Sequence, residues 1–150
     1  QRVTFRIDNG QLGGIVAEDT DNWVRGDQLQ DCETIEVDAY PLLDVLKDND
    51  APSHIDYWSL DVEGSEESIL STFNFSEYSF GCITIERPTP RCNQILQSNG
   101  YVFIKNQTQN HTNTHTQRHN ADTFYVHPKN LGNMQINKFA QVPPKPNPKP

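Results

Sequence analysis

The sequence predicts an α/β domain: a mainly parallel sheet with helices on its faces and an antiparallel pair of strands at one edge. Three observations carry that expectation. Strand-like and helix-like patterns alternate from Thr34 to Ile104. The apolar run that begins at Ile55 ends abruptly in an acidic, glycine-containing turn. At 150 residues the chain is long enough for one domain with a core and short for two.

Taken in order, Val3, Phe5 and Ile7 alternate with polar residues and run into Asp8-Asn9-Gly10. Alternation into Asn-Gly signals a hairpin, because a type I′ turn needs two positive φ angles. The returning strand is expected from Leu12 to Ala17, with Gly13-Gly14 permitting a bulge. Residues Glu18 to Asp31 read as an exposed polar loop whose largest apolar residue is Trp23. Thr34–Val37 reads as a strand, followed by a helix capped by Asp38 and carrying Tyr40, Leu42, Leu43, Val45 and Leu46. Pro41 is tolerated in its first turn.

Ile55–Val62 is the next strand, broken by Gly64; Ser65–Phe73 follows as a helix with Ile69, Leu70 and Phe73 on one face. Phe80–Glu86 is a third strand closed by Arg87-Pro88. Arg91–Asn99 forms a short helix through Cys92, Ile95 and Leu96, stopped at Gly100. Tyr101–Ile104 and Thr123–Val126 are the last strands, and no helical pattern separates them. The domain is thus expected over 1–128, with its core at 34–104, a polar Asn/Thr/His/Gln loop at 106–120 and a Pro-rich tail at 129–150. Trp23, Trp58 and Tyr101 are expected in the core or at its rim.

A net charge of -8 excludes the clustered Lys and Arg that nucleic-acid backbones require. It serves solubility, or attracts cations, a calcium mineral or a cationic surface. Glu18-Asp19-Thr20-Asp21-Asn22 is the nearest acidic cluster, yet it lacks the D-x-D-x-D-G spacing of a calcium loop. No window approaches 18 apolar residues, so no membrane span is expected. The chain opens Gln-Arg-Val without an initiator Met or an apolar leader, which suggests a processed terminus or a fragment. Cys32, Cys82 and Cys92 have no C-x-x-C spacing; one disulfide plus a thiol, or three thiols, would both suit them. Asn74, Asn106 and Asn110 begin N-x-S/T sequons, a pattern that would mark a secreted glycoprotein. His111, His115 and His119 recur every four residues, but Asn and Thr between them form helices poorly, so a solvated loop is favoured over a metal site.

Chemistry is expected where the strand from Ile55 ends. In open α/β sheets ligands bind beyond the carboxyl ends of the strands. Asp61 and Glu63 stand there, able to bind a hydroxyl or act as a base, and Gly64 lets the backbone turn closely. Glu66 and Glu67 fall in the first helical turn, where the macrodipole favours carboxylates.

The segment IDYWSLDVEGSEESIL, Ile55–Leu70, resembles the most distinctive stretch of the FkbM family of S-adenosylmethionine-dependent methyltransferases, including Asp56, Asp61, Glu63, Gly64 and Glu66. Its flanks resemble the family too: Thr34–Leu42 before the preceding helix, Cys82–Glu86 as a strand ending in Glu, and Leu96 with Asn99-Gly100-Tyr101 after it. The wording of the segment looks closest to animal members, some of them secreted or Golgi-lumenal. The resemblance implies the second half of a Rossmann-like class I methyltransferase sheet. It further implies S-adenosylmethionine as cofactor, a small-molecule or glycan hydroxyl as acceptor, and Asp61, Glu63 and Glu86 near the reacting centre.

One departure qualifies the implication. Family members hold the cofactor with a strand, a glycine-rich turn and a helix; G-x-G-x-x-G does not occur here, and Gly10, Gly13 and Gly14 are read as parts of a hairpin. The chain is therefore expected to be inactive as given. The alternative is an acidic secreted glycoprotein of an extracellular or biomineral matrix that keeps the fold without catalysis.

Overall fold

A computed structural model describes residues 1–108 and 121–130. His111, His115, His119, the sequon at Asn110 and the tail Val142–Pro150 lie outside the described residues. The chain is α/β and divides into two compact units, each assembled from separate stretches of sequence.

The first unit takes Gln1–Ala51 and Asp61–Phe73. Its strands β1 (Arg2–Arg6), β2 (Gly14–Ile15) and β3 (Thr34–Asp38) form an antiparallel sheet in the order β2-β1-β3. Phe5 lies opposite Ile15 on one side and Ile35 on the other, and Val3 opposite Val37, so apolar residues meet across the strands. This corrects the expectation that Thr34–Val37 joins the parallel sheet. Local alternation marks a strand but not its partner, and here Thr34–Asp38 has a full five-residue register with Arg2–Arg6.

The hairpin is present with a different connection. Asn9 keeps a negative φ of -96°, and only Gly10, at +57°, is left-handed. The chain continues through a 3-10 turn, Gly10–Leu12, before β2. A type I′ turn needs both residues left-handed, so the Asn-Gly signal overstated the tightness of the turn. Asp38 is also not a helix cap: it ends β3 opposite Arg2. Helix α1 (Leu42–Asp48) begins after Pro41, whose fixed φ suits the position and whose missing N–H costs nothing there.

The second unit takes Pro52–Leu60 and the described residues from Asn74 onward. Strands β4 (His54–Leu60), β5 (Ser79–Glu86), β6 (Val102–Thr108) and β7 (Ala121–Val126) are ordered β4-β5-β7-β6. β4 and β5 are parallel, with Leu60 beside Ile85; β7 runs antiparallel to both β5 and β6. The expected antiparallel pair is therefore present, but β7 returns between β5 and β6 instead of lying outside them.

β5 supplies the centre. Phe80, Ile83 and Ile85 are buried, as a strand covered on both faces requires. Gly81 is demanded by packing, since a Cβ there would lie 2.5 Å from the Asp56 carbonyl oxygen. The Phe80 N–H donates to the Tyr101 hydroxyl at 2.8 Å, and Trp58 stacks on Phe80 with ring centroids 4.6 Å apart. Helix α3 (Pro90–Ser98) buries Cys92 and Leu96. Thr89 caps it, its hydroxyl accepting the Cys92 N–H at 3.2 Å, and Pro90 occupies the first turn. The buried Tyr125 hydroxyl donates to the Asn93 side-chain carbonyl. All three cysteines are free thiols, and burial pushes the Cys82 thiol up.

Loss of the α3 cap in Thr89→Ala is expected to lower unfolding free energy by about 1 kcal/mol in a urea titration, with Thr89→Ser retaining most of it. His127 gives a second test. Burial first, then the Lys129 and His54 charges, hold its imidazole below the usual value of 6.5, so folding favours the neutral ring. Its stabilisation is present above the ordinary imidazole pKa and lost as pH falls through the lowered folded value. The urea midpoint should fall between about pH 7 and pH 5, and His127→Gln should flatten that fall.

Candidate functional site

β4 delivers the chain to Asp61-Val62-Glu63-Gly64, and helix α2 (Glu66–Thr72) departs immediately after Ser65. Two successive residues of the turn are left-handed: Glu63 at φ +52° and Gly64 at +97°. For glycine that costs little; for glutamate it costs about 1–2 kcal/mol. Residues held in such regions persist only where the surroundings over-determine them.

Two sets of contacts within the first unit do so. The Glu66 side chain, 7% exposed, accepts the Val62 N–H at 3.0 Å and the Gly64 N–H at 3.4 Å through one carboxylate oxygen. Glu66 is thus more than a residue suited to the helix dipole, because its carboxylate ties the turn together from inside. On the other side, the Asp21 N–H donates to the Glu63 carbonyl at 3.0 Å. A Cβ on Gly64 would stand 2.7 Å from that same Asp21 nitrogen. A Cβ on Gly14 would stand 2.6 Å from Asn22 Nδ2 and 3.4 Å from Glu63 Cβ.

This corrects the reading of Glu18–Asp31 as an exposed polar loop, and of Trp23 as a core or rim residue. Asn22 is 1% exposed and Trp23 is 45% exposed. The Asn22 Nδ2 donates to the Leu12 carbonyl at 2.9 Å, and the Thr20 hydroxyl donates to the Ile15 carbonyl at 2.6 Å. A buried asparagine at the end of an acidic cluster carries no hydrophobic signal. The only hint available was the paired Gly13-Gly14, which marks a close approach as readily as a bulge.

Of the three expected site residues, Asp61 and Glu63 share the turn; Asp61 is exposed and Glu63 half-buried. Glu86 belongs to the second unit, at the end of β5, where its Oε2 accepts from Arg87 Nη2 at 2.9 Å. Arg87 is itself left-handed, at φ +45°. Both parallel strands therefore run into acidic residues and an unusual backbone at their carboxyl ends. Of the sequons, Asn74 is exposed on a turn, with Oδ1 accepting from the Ser76 N–H and hydroxyl. Asn106 is within β6, opposite Thr123. No cluster of three His, Cys, Asp or Glu suited to a metal occurs among the described residues.

Residues 9–103 match the model of the methyltransferase FkbM domain, a stretch longer than half of the chain. The chain belongs to the FkbM methyltransferase family. No curated protein and no solved structure matches it. The FkbM match includes Asp61, Glu63, Gly64, Glu66 and Glu86, and it starts within the β1–β2 connection, well before Thr34. Family membership implies S-adenosylmethionine. A Cβ on Gly13, Gly14, Gly64 or Gly81 would meet protein atoms within 3 Å, so these four open no cradle for that group, whereas the space beside Gly10 is open.

In unfolding titrations Glu66→Ala should cost roughly 2–3 kcal/mol, because two turn amides lose a charged acceptor, whereas Glu66→Gln should stay within about 1 kcal/mol. Substitutions at the two left-handed positions should have opposite signs. Gly64→Ala should destabilise by roughly 2 kcal/mol or more, through backbone strain and collision with Asp21. Glu63→Gly should be neutral or stabilising by up to about 1 kcal/mol, since relief of strain outweighs the glycine's added freedom when unfolded.

Proposed function

We propose that the chain contributes the acceptor-side part of an O-methyltransferase of the FkbM family. The single observation that carries this reading is Glu63, an ionisable side chain kept in a left-handed conformation beside Asp61 at the end of a parallel strand. A glycine would occupy the position with less strain, so the carboxylate is the part worth keeping. The strand order β4-β5-β7-β6, with β7 reversed, supports assigning the sheet to the second half of a Rossmann-like methyltransferase fold.

In this reading the acceptor is a small-molecule or glycan hydroxyl. Glu63, with Asp61 beside it in sequence, accepts the hydroxyl's hydrogen bond, orients its oxygen and takes its proton as that oxygen reacts. Glu86, at the end of β5, is oriented by its pair with Arg87. S-adenosylmethionine supplies the methyl group in this family.

A second reading, an acidic secreted glycoprotein of an extracellular or calcium-mineral matrix, is favoured by the exposed Asn74 sequon and the net charge of -8. Glycopeptide mass spectrometry of the protein from its natural source separates the readings: a glycan on Asn74 supports secretion, and an unmodified Asn74 at full occupancy counts against it.

In this reading calorimetry of the 150-residue chain with S-adenosylmethionine should register no binding; tight binding would show that the chain as given holds the cofactor. In a methyl-transferring form of the protein, Glu63→Gln should lower transfer to a hydroxyl acceptor by roughly 100-fold while leaving the fold intact. An unchanged rate would remove Glu63 from the reacting centre.

A further inference from the structure

We infer that Asn22 is the positioning residue for Glu63; this inference rests on the reading of Glu63 given above. The path is short and continuous. The Asn22 Nδ2 grips the Leu12 carbonyl at 2.9 Å, and its side chain fills the space left by Gly14. This fixes the backbone of the preceding residue, whose N–H donates to the Glu63 carbonyl at 3.0 Å. Thr20 secures the other end of the loop, its hydroxyl accepting the Ala17 N–H at 3.1 Å and donating to the Ile15 carbonyl at 2.6 Å. The Asp21 nitrogen and Thr20 Cα then occupy the space beside Gly64. With Glu66 tying the turn from the opposite side, Glu63 has one backbone conformation available.

Asn22 is a poor choice if packing is all the position requires. Its Oδ1 is buried with no hydrogen-bond partner among the described residues. An orphaned buried acceptor costs about 1–3 kcal/mol, and an apolar side chain of the same shape removes that cost. Leucine at this position would pack and would bring no orphaned Oδ1. What leucine cannot do is hold the loop through Nδ2. The position therefore accepts a stability cost in exchange for a fixed Asp21 N–H.

The experiment is Asn22→Leu in the whole chain, read by NMR at Glu63. One-bond Cα–Hα and three-bond HN–Hα couplings report the sign of φ directly, without methyl transfer. The expected outcome is a urea midpoint equal to or above that of the unsubstituted chain, with the Glu63 couplings shifted from left-handed toward conformationally averaged values. Unchanged Glu63 couplings in a folded Asn22→Leu chain would overturn the inference. Amide hydrogen exchange in the unsubstituted chain provides a second reading if the variant does not fold. The Asp21, Val62 and Gly64 amides should exchange at a common rate as one cooperative unit, and Asp21 exchanging independently and faster would equally overturn it. A failed methylation assay bears on the proposed function alone and leaves both measurements standing.

Discussion

The buried carboxylate of Glu66 governs the geometry on which the candidate site depends. A strand that ends in a tight reversal leaves amide groups without partners, and the interior cannot leave them so. Glu66 answers two of them, at Val62 and Gly64, from the first turn of the helix that follows. Because the acceptor is charged, these bonds are stronger than their neutral equivalents. They offset the strain of putting Glu63 and Gly64 consecutively in the left-handed region. The same sequence interval thus contains both the strained element and the group that restrains it.

Restraint from one side would still leave the turn free to rock. The Thr20–Asn22 loop removes that freedom with a single N–H and two close glycine contacts. Its own rigidity comes from side chains bonded to backbone carbonyls at Leu12 and Ile15. Polar groups therefore order this part of the molecule, where apolar burial is sparse: Ile7, Leu12, Trp23, Ile35, Tyr40 and Val45 of the first unit are all exposed. The second unit is organised in the opposite way, around Phe80, Ile83, Ile85, Leu96 and Tyr125.

That contrast explains what could be read from sequence. β5, α3 and the turn after β4 were legible because burial writes apolar runs and glycines into the chain, as at Ile83–Ile85, Gly100 and Gly64. The DVEG turn was legible a second time through its likeness to the FkbM family, which the match over residues 9–103 bears out. β3 was recognised as a strand but given the wrong partner, because Thr34–Val37 carries no information about which edge it meets. Asn22 was missed because a buried amide looks, in sequence, like any loop asparagine. Asp38 looked like a cap because Asp often is one; here the helix waits for Pro41.

The interleaving of the two units has a consequence for how the chain becomes folded at all. The polypeptide passes from the first unit to the second after Ala51, returns at Asp61, and leaves again after Phe73. A ribosome delivers the Thr20–Asn22 loop long before it delivers Glu63 and Gly64, with all of β4 in between. At about 5–20 residues per second that delay lasts several seconds. During it the side chain of Asn22 has no finished surroundings, so the first unit cannot mature before the second stretch of its sequence arrives. A break anywhere between Ala51 and Asp61 would separate the loop from the turn it holds. The segment that looks most like a self-contained hairpin at the start of the chain is thus the part that finishes folding late.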